Sequence, residues 1–131
     1  ANLNLLGTRE PDIYGSTSMD DVLTHLKSEY SQHAIEYFQS NFEGEIIGKI
    51  QENNFDALVI NPGAFTHYSY AIADALKNLK KPKIEVHISN IYQREEFRQK
   101  SVTAAYTDAV LSGFGTEGYR LAIIHLISTI Q

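Results

Sequence analysis

The sequence predicts an α/β fold, a doubly wound parallel sheet with helices on both faces, from three observations. Short apolar runs alternate along the chain with segments of helical period. The turn Asn61-Pro62-Gly63 stops one such run abruptly. No repeat, low-complexity tract or Pro/Gly/Ser linker divides the chain, so its 131 residues are expected to form a single domain spanning 1–131.

The elements follow in order. Ala1-Asn2-Leu3-Asn4 runs almost at once into a loop, leaving little room for the central first strand that a doubly wound sheet needs, so a leading strand ahead of Ala1 is expected. Ser18 with Asp21 three residues on reads as a capping box, and Val22, Leu23, Leu26 and Tyr30 continue as an apolar stripe, predicting a helix to about Ser31. Ala34–Gln39 reads as a strand, Glu45–Asn53 as a helix carrying Ile46, Ile47 and Ile50 on one side, and Ala57–Ile60 as a short buried strand. Tyr68–Leu79 suits a helix with Ile72, Ala75, Leu76 and Leu79 facing inward. Lys83–Ser89 and Ala109–Phe114 read as strands, and Tyr119–Ile130 as a closing helix.

Composition narrows the partners. Eleven Lys and Arg against 16 Asp and Glu give a formal charge of -5, a field that repels phosphate backbones and anionic lipid, so neither nucleic acid nor membrane is expected as a partner. The absence of cysteine removes disulfides, thiolate zinc sites and a thiol nucleophile, and suits the reducing cytoplasm, the expected location. The apolar stretch Leu121–Ile127 is interrupted by His125 and is far short of the roughly 20 residues that cross a bilayer.

Ligands of open parallel sheets bind beyond the carboxyl ends of the strands, and three groups fall there. The loop Gly7-Thr8-Arg9-Glu10-Pro11-Asp12-Ile13-Tyr14-Gly15 reads as a hinged lid carrying Arg9 and Tyr14, or as a surface turn. Asn61-Pro62-Gly63-Ala64-Phe65-Thr66-His67 offers directed hydrogen bonds from Asn61 and His67 and close backbone approach, or forms a plain turn with Thr66 capping the next helix. On Ile84-Glu85-Val86-His87-Ile88-Ser89, residues two apart share a face, so Glu85, His87 and Ser89 make a polar row. A central parallel strand should be apolar on both sides, so this strand either lies at an edge or lines a cavity. Arg94 and Arg98, four apart, suit one helical face that clamps a carboxylate or pairs with Glu95 and Glu96 on the surface. Glu85, His87 and His67 as metal ligands make a weak signature without an HExxH pattern or acidic run. His25, His33 and His125 suit packed or solvated positions, and Tyr68 and Tyr70 suit a core or interface.

Taken together, Ala1–Pro11, Tyr14-Gly15, Gln39–Glu45, Asn61–His67, Ile84–Asn90 and Arg94–Arg98 closely resemble the type II 3-dehydroquinases, in order and over nearly the whole chain. The resemblance implies a flavodoxin-like fold and a dodecamer built as a tetramer of trimers. It implies dehydration of 3-dehydroquinate without a cofactor, in the shikimate route to aromatic amino acids or in quinate breakdown. By that resemblance Tyr14 is the base, Arg9 favours its phenolate, and Asn2 holds the water bonded to the enolate oxygen. His87 is then the general acid, oriented by Glu85. Asn61, Gly63, Ala64, His67, Arg98 and the Ile88-Ser89 backbone and hydroxyl bind substrate, Asp74 reaches a neighbouring subunit's site, and Arg94 supports the site. An ordinary phenol ionises near pH 10 (about), so a useful phenolate at neutral pH takes roughly 4 kcal/mol of preferential stabilisation.

The chain departs from the pattern in three places. The family's leading strand ending in Asn-Gly has no counterpart before Ala1, Tyr68 and Tyr70 stand where smaller residues are usual, and Ser28–Ile35 is slightly short. Three other functions share the architecture. A flavin mononucleotide module should have a Ser/Thr/Gly-rich loop before its first helix, where this chain has Arg, Glu, Pro and Asp. A phosphoacceptor needs acids at strand ends, whereas Asp56 precedes its strand, and a silent scaffold would not need Tyr14, Arg9, His87 and Asn2 together.

Overall fold

The computed structural model describes residues 18–130. The expected leading strand and the Gly7–Gly15 loop, with Asn2, Arg9 and Tyr14, lie outside them. The described chain contains α1 (Met19–Glu29), α2 (Glu43–Glu52), β1 (Leu58–Ile60), α3 (Tyr70–Asn78), β2 (Lys83–His87), β3 (Ala109–Ser112) and α4 (Glu117–Ile130). Single 3-10 turns lie at Gly63–His67, Ile91–Gln93, Glu96–Arg98 and Ala104–Tyr106.

The three strands are parallel in the order β1-β2-β3. Register sets Ile60 beside Glu85 on one flank and His87 beside Ser112 on the other. Period-two alternation then divides the core. Ile84, Val86 and Ile88 pack with Met19, Val22 and Leu26 of α1 and Tyr119, Ala122 and Leu126 of α4. Ile60 packs with Ile50 of α2 and with Ile72, Ala75 and Leu76 of α3, and Leu79 just past α3. Helices therefore cover both faces, as expected of a doubly wound sheet.

Local chemistry explains the boundaries. The capping box forms as read: Asp21 N–H donates to Ser18 Oγ at 3.2 Å and Ser18 N–H to Asp21 Oδ2 at 3.4 Å. α2 ends at Asn53, whose φ of 53° is the left-handed cap. α3 starts two residues later than its apolar period suggests, because Gly63, at φ 61°, opens a 3-10 turn that carries the chain to His67. Ser69, rather than Thr66, caps the helix, accepting from Ile72 N–H at 3.0 Å, and its own hydroxyl donates to Glu43 at the start of α2.

Two predicted elements differ. Ala34–Gln39 makes no ladder with any strand among the described residues, although Ile35 and Tyr37 still pack on the α1/α4 side of the core. A strand exists only as a partner of another, and neither β1 nor β3 takes this segment. Arg94 and Arg98 do not share a helical face: Ile91–Gln93 and Glu96–Arg98 are separate 3-10 turns, with Arg94 extended between them at ψ -178°.

Beyond β2 the chain is latched to the end of β3. Ser112 Oγ accepts from Ile91 N–H and donates to Ser89 O, both at 3.2 Å. Gly113, at φ 94°, passes so close to Asn90 that a Cβ there would lie 3.1 Å from the Asn90 Cβ.

Two helical glycines give a paired test. A Cβ at Gly118 in α4 would lie 3.0 Å from Val86 Cγ1, a fully buried side chain, whereas a Cβ at Gly48 in α2 meets nothing within 4 Å. Gly48→Ala is expected to raise stability by about 0.5–1 kcal/mol. Gly118→Ala is expected to lower it by about 1–3 kcal/mol through overpacking that outweighs the same propensity gain. Urea unfolding of both variants checks this, and a gain in both would show that α4 can move off the sheet.

Candidate active site

Of the polar row predicted from alternation, Glu85 and His87 lie on β2, joined on that face by Lys83, while Ser89 falls just past the strand; β2 is the central strand of the three and all five of its residues are buried. The edge-strand alternative therefore fails, and the polar groups must find partners inside the protein. Lys83 Nζ donates to Leu79 O at 2.7 Å and Lys81 O at 3.2 Å, caught at the C-terminal end of α3 where carbonyls are left over.

Glu85 is 0% exposed and His87 is 5% exposed. His87 Nε2 lies 2.7 Å from Glu85 Oε2. A carboxylate only accepts, so the hydrogen sits on Nε2 and Nδ1 is the ring nitrogen left to face a ligand. Thr66 Oγ1 at 3.1 Å and Ser101 Oγ at 3.0 Å also donate to Oε2, and Thr103 Oγ1 donates to Oε1. Burial by itself would raise the Glu85 pKa. The hydrogen bonds from His87, Thr103 and Ser101, with the His87 charge, more than offset it and hold the carboxyl below its usual range.

The turn after β1 supplies a second set of groups. Asn61 Oδ1 accepts from Gly63 N–H at 3.0 Å, fixing the left-handed turn, while Asn61 Nδ2 donates to Tyr119 OH at 2.9 Å. Burial pushes the Tyr119 pKa up to about 12 despite that bond, so the phenol stays neutral and its oxygen remains an acceptor. His67 Nδ1 donates to Lys100 O at 2.6 Å, so Nε2 is the ring nitrogen that this bond leaves available. After β2, Arg94 donates to Ser89 Oγ at 2.9 Å, leaving the Ser89 hydroxyl proton for another acceptor.

The predicted site residues thus fall into distinct sets. Glu85 and His87 are joined directly, and Asn61 and Gly63 are joined in one turn that His67 closes. Ser89 and Arg94 are joined beyond β2, with the Ile88 side chain buried beneath them. Ala64 is exposed, Asp74 is on the exposed face of α3, and Arg98 is ion-paired to Glu95 at 3.4 Å on the surface. Among the described residues no three His, Cys, Asp or Glu side chains converge as metal ligands, and His67 turns to Lys100 instead of joining Glu85 and His87. Sequence reasoning missed Ser101, Thr103 and Tyr119. The one available signal was the demand of a charged side chain in a central strand for donors from elsewhere, which does not say which hydroxyls answer it.

The fold and site define a parallel α/β protein with a buried carboxylate–imidazole pair at the carboxyl end of its central strand, an arrangement capable of proton transfer. Comparison with known proteins makes that class specific. The family described as "Dehydroquinase class II" matches residues 1–127. The protein named 3-dehydroquinate dehydratase from Thermotoga neapolitana is 55% identical over 124 residues, covering 93% of this chain and 86% of that protein. Its counterpart from Thermotoga petrophila is 53% identical over 132 residues, covering 99% and 92%. Among solved structures, the type II dehydroquinase from Butyrivibrio crossotus superimposes with a TM-score of 0.92 at 48% identity, covering 96% of this chain and 91% of that one. That from Propionibacterium acnes gives 0.91 at 44% identity, covering 97% and 90%. The chain belongs to the class II dehydroquinase family, and its fold is the flavodoxin-like one of its structural neighbours.

The depressed Glu85 pKa has a signed consequence. A carboxyl that titrates lower folded than unfolded adds stability above the ordinary glutamate range and loses it as pH falls through the depressed value. Glu85→Gln is expected to cost about 1–3 kcal/mol at neutral pH. It should also flatten the acid side of the stability profile. Urea midpoints measured against pH for both proteins test this, and two parallel profiles would count against it.

Proposed function

We propose that this protein dehydrates 3-dehydroquinate to 3-dehydroshikimate by anti elimination through an enolate, with no metal or organic cofactor taking part. The observation that carries the reading is the buried Glu85–His87 pair in a chain whose relatives, at 53–55% identity, are named for this dehydration. An acid that must protonate a leaving hydroxyl needs one ring nitrogen fixed and the other presented, and the Glu85 contact at Nε2 does that.

In the first step the Tyr14 phenolate, favoured by Arg9, takes a proton from the carbon beside the substrate ketone, and the electron pair becomes an enolate. Asn2 holds the water that hydrogen-bonds the enolate oxygen, where charge develops. In the second step the enolate electrons reform the ketone, the carbon–oxygen bond to the leaving hydroxyl breaks, and His87 gives its Nδ1 proton so that water departs. Glu85 is the counter-ion while the ring carries two protons.

Substrate hydroxyls meet Asn61, with the Gly63-Ala64 backbone, and Nε2 of His67. The substrate carboxylate meets the Ile88-Ser89 backbone, the Ser89 hydroxyl oriented by Arg94, and Arg98. Asp74, exposed on α3, serves the site of a neighbouring copy in a dodecamer built as a tetramer of trimers.

Ultraviolet absorbance of the conjugated product gives the test. Purified protein mixed with 3-dehydroquinate should produce a rise that a chelator leaves unchanged. Tyr14→Phe and His87→Gln should each lower kcat by about 10²–10⁴-fold. A folded protein that leaves the substrate untouched refutes the assignment.

A further inference from the structure

We infer that Thr66, Ser101 and Thr103 are positioning residues for the dehydration, a cradle of three hydroxyls that keeps Glu85 an unprotonated acceptor on His87 Nε2 and so keeps the transferable proton on Nδ1. This inference rests on the dehydratase reading above.

The cradle is drawn from two segments far apart in sequence. Thr66 comes from the turn after β1, and Ser101 and Thr103 from the irregular stretch between β2 and β3. The three oxygens touch one another, Thr66 to Ser101 at 2.6 Å, Thr66 to Thr103 at 2.8 Å and Ser101 to Thr103 at 3.1 Å, and each also reaches Glu85. A carboxylate has about four acceptor positions, and three hydroxyls with His87 bring four donors. Each hydroxyl has one hydrogen to give, either to Glu85 or to the next hydroxyl, and a carboxylate that only accepts is the end point of every such chain, so the cluster favours the ionised form.

No other ionisable side chain competes for this carboxylate among the described residues. On its own strand Lys83 is turned to Leu79 O and Lys81 O, and on the β1 side His67 is turned to Lys100 O. Toward β3, Asp108 accepts from Lys83 N–H at 2.9 Å. The Glu85 pKa, held down in part by the Thr103 and Ser101 bonds, agrees with the geometry.

Holding the loop in place does not need the Thr103 hydroxyl. Val102 N–H donates to Thr66 O at 2.7 Å, Ala104 N–H to Ser101 Oγ at 2.9 Å and His67 to Lys100 O, so the stretch is already clamped by other atoms. Among the described residues Thr103 Oγ1 meets only Glu85 and the other two hydroxyls, which makes it the place to separate chemistry from scaffolding.

The experiment compares Thr103→Val, which keeps the shape and removes the hydroxyl, with Thr103→Ser, which restores it. Steady-state kinetics with 3-dehydroquinate are measured across pH, and the Glu85 side-chain carbon is titrated by ¹³C NMR. Thr103→Val should lower kcat by about ten- to a hundredfold with KM far less changed. Its acid limb of kcat/KM should move up by about one pH unit, with the Glu85 titration moving the same way. Thr103→Ser should recover most of both. A Thr103→Val enzyme with wild-type kcat overturns the role, as does one whose acid limb stays put while Thr103→Ser is equally impaired. Thr66→Val, read in the same way, decides the matter if Thr103→Val does not fold. Wild-type protein without dehydratase activity overturns the underlying reading and this role with it; an active wild type with unmoved pH limbs overturns the role alone.

Discussion

A carboxylate placed in the middle of a parallel sheet has to be met by donors, and much of this structure answers that requirement. Glu85 sits on β2, between β1 and β3, with no exposed surface. Leaving such a charge without its partners costs about 3–5 kcal/mol, comparable with truncating a large core side chain. The turn after β1 and the stretch before β3 both carry hydroxyls to it, so two segments that are irregular in themselves acquire fixed places. The same contact that satisfies Glu85 also orients His87. Packing, charge satisfaction and the orientation of a buried imidazole are thus one arrangement.

Among the described residues, the polar groups joined after β1, at the end of β2 and beyond it lie at one end of the sheet. Asn61 follows β1, His87 closes β2, and Ser112 closes β3 while latching the chain beyond Ser89. At the opposite ends of the strands, Lys83 Nζ is held by the end of α3 and Lys83 N–H by Asp108. This polarity follows from parallel strands, whose carboxyl ends all open on the same side. The two apolar faces beneath differ in their helices but share β1, which sends Val59 to one half of the core and Leu58 and Ile60 to the other, while β2 gives its apolar side chains to one half only.

Much of the fold was legible because period and punctuation agreed. The Ser18–Asp21 capping box, the Ile84-Val86-Ile88 alternation and the Pro62-Gly63 stop are all local signals, and each has its expected counterpart in the structure. Ala34–Gln39 was not legible as strand or loop because pairing is decided by another segment. Arg94 and Arg98 misled because a four-residue spacing implies one face only if the backbone between them is α-helical, and it is not. In the site, Glu85 and His87 announced themselves as polar intruders in a buried run. Thr66, Ser101 and Thr103 did not, since a hydroxyl is common in any turn and only the third dimension says which carboxylate it meets. Tyr119 was hidden likewise, as the first aromatic of an apolar helix instead of a partner for Asn61.

The stretch from Ile88 to Asp108 holds little regular structure, yet it is not a loose loop in the energetic sense. Peeling it away would strip Ser101 and Thr103 from Glu85, release Val102 from Thr66 and free His67 from Lys100 in the same motion. A partly opened state would keep the buried charge while losing two of its four donors, so it has little to recommend it over full unfolding. The segment therefore opens with the sheet or not at all, and the cooperativity that a helix or strand gains from its own ladder is here supplied by contacts gathered around one glutamate and the turn beside it.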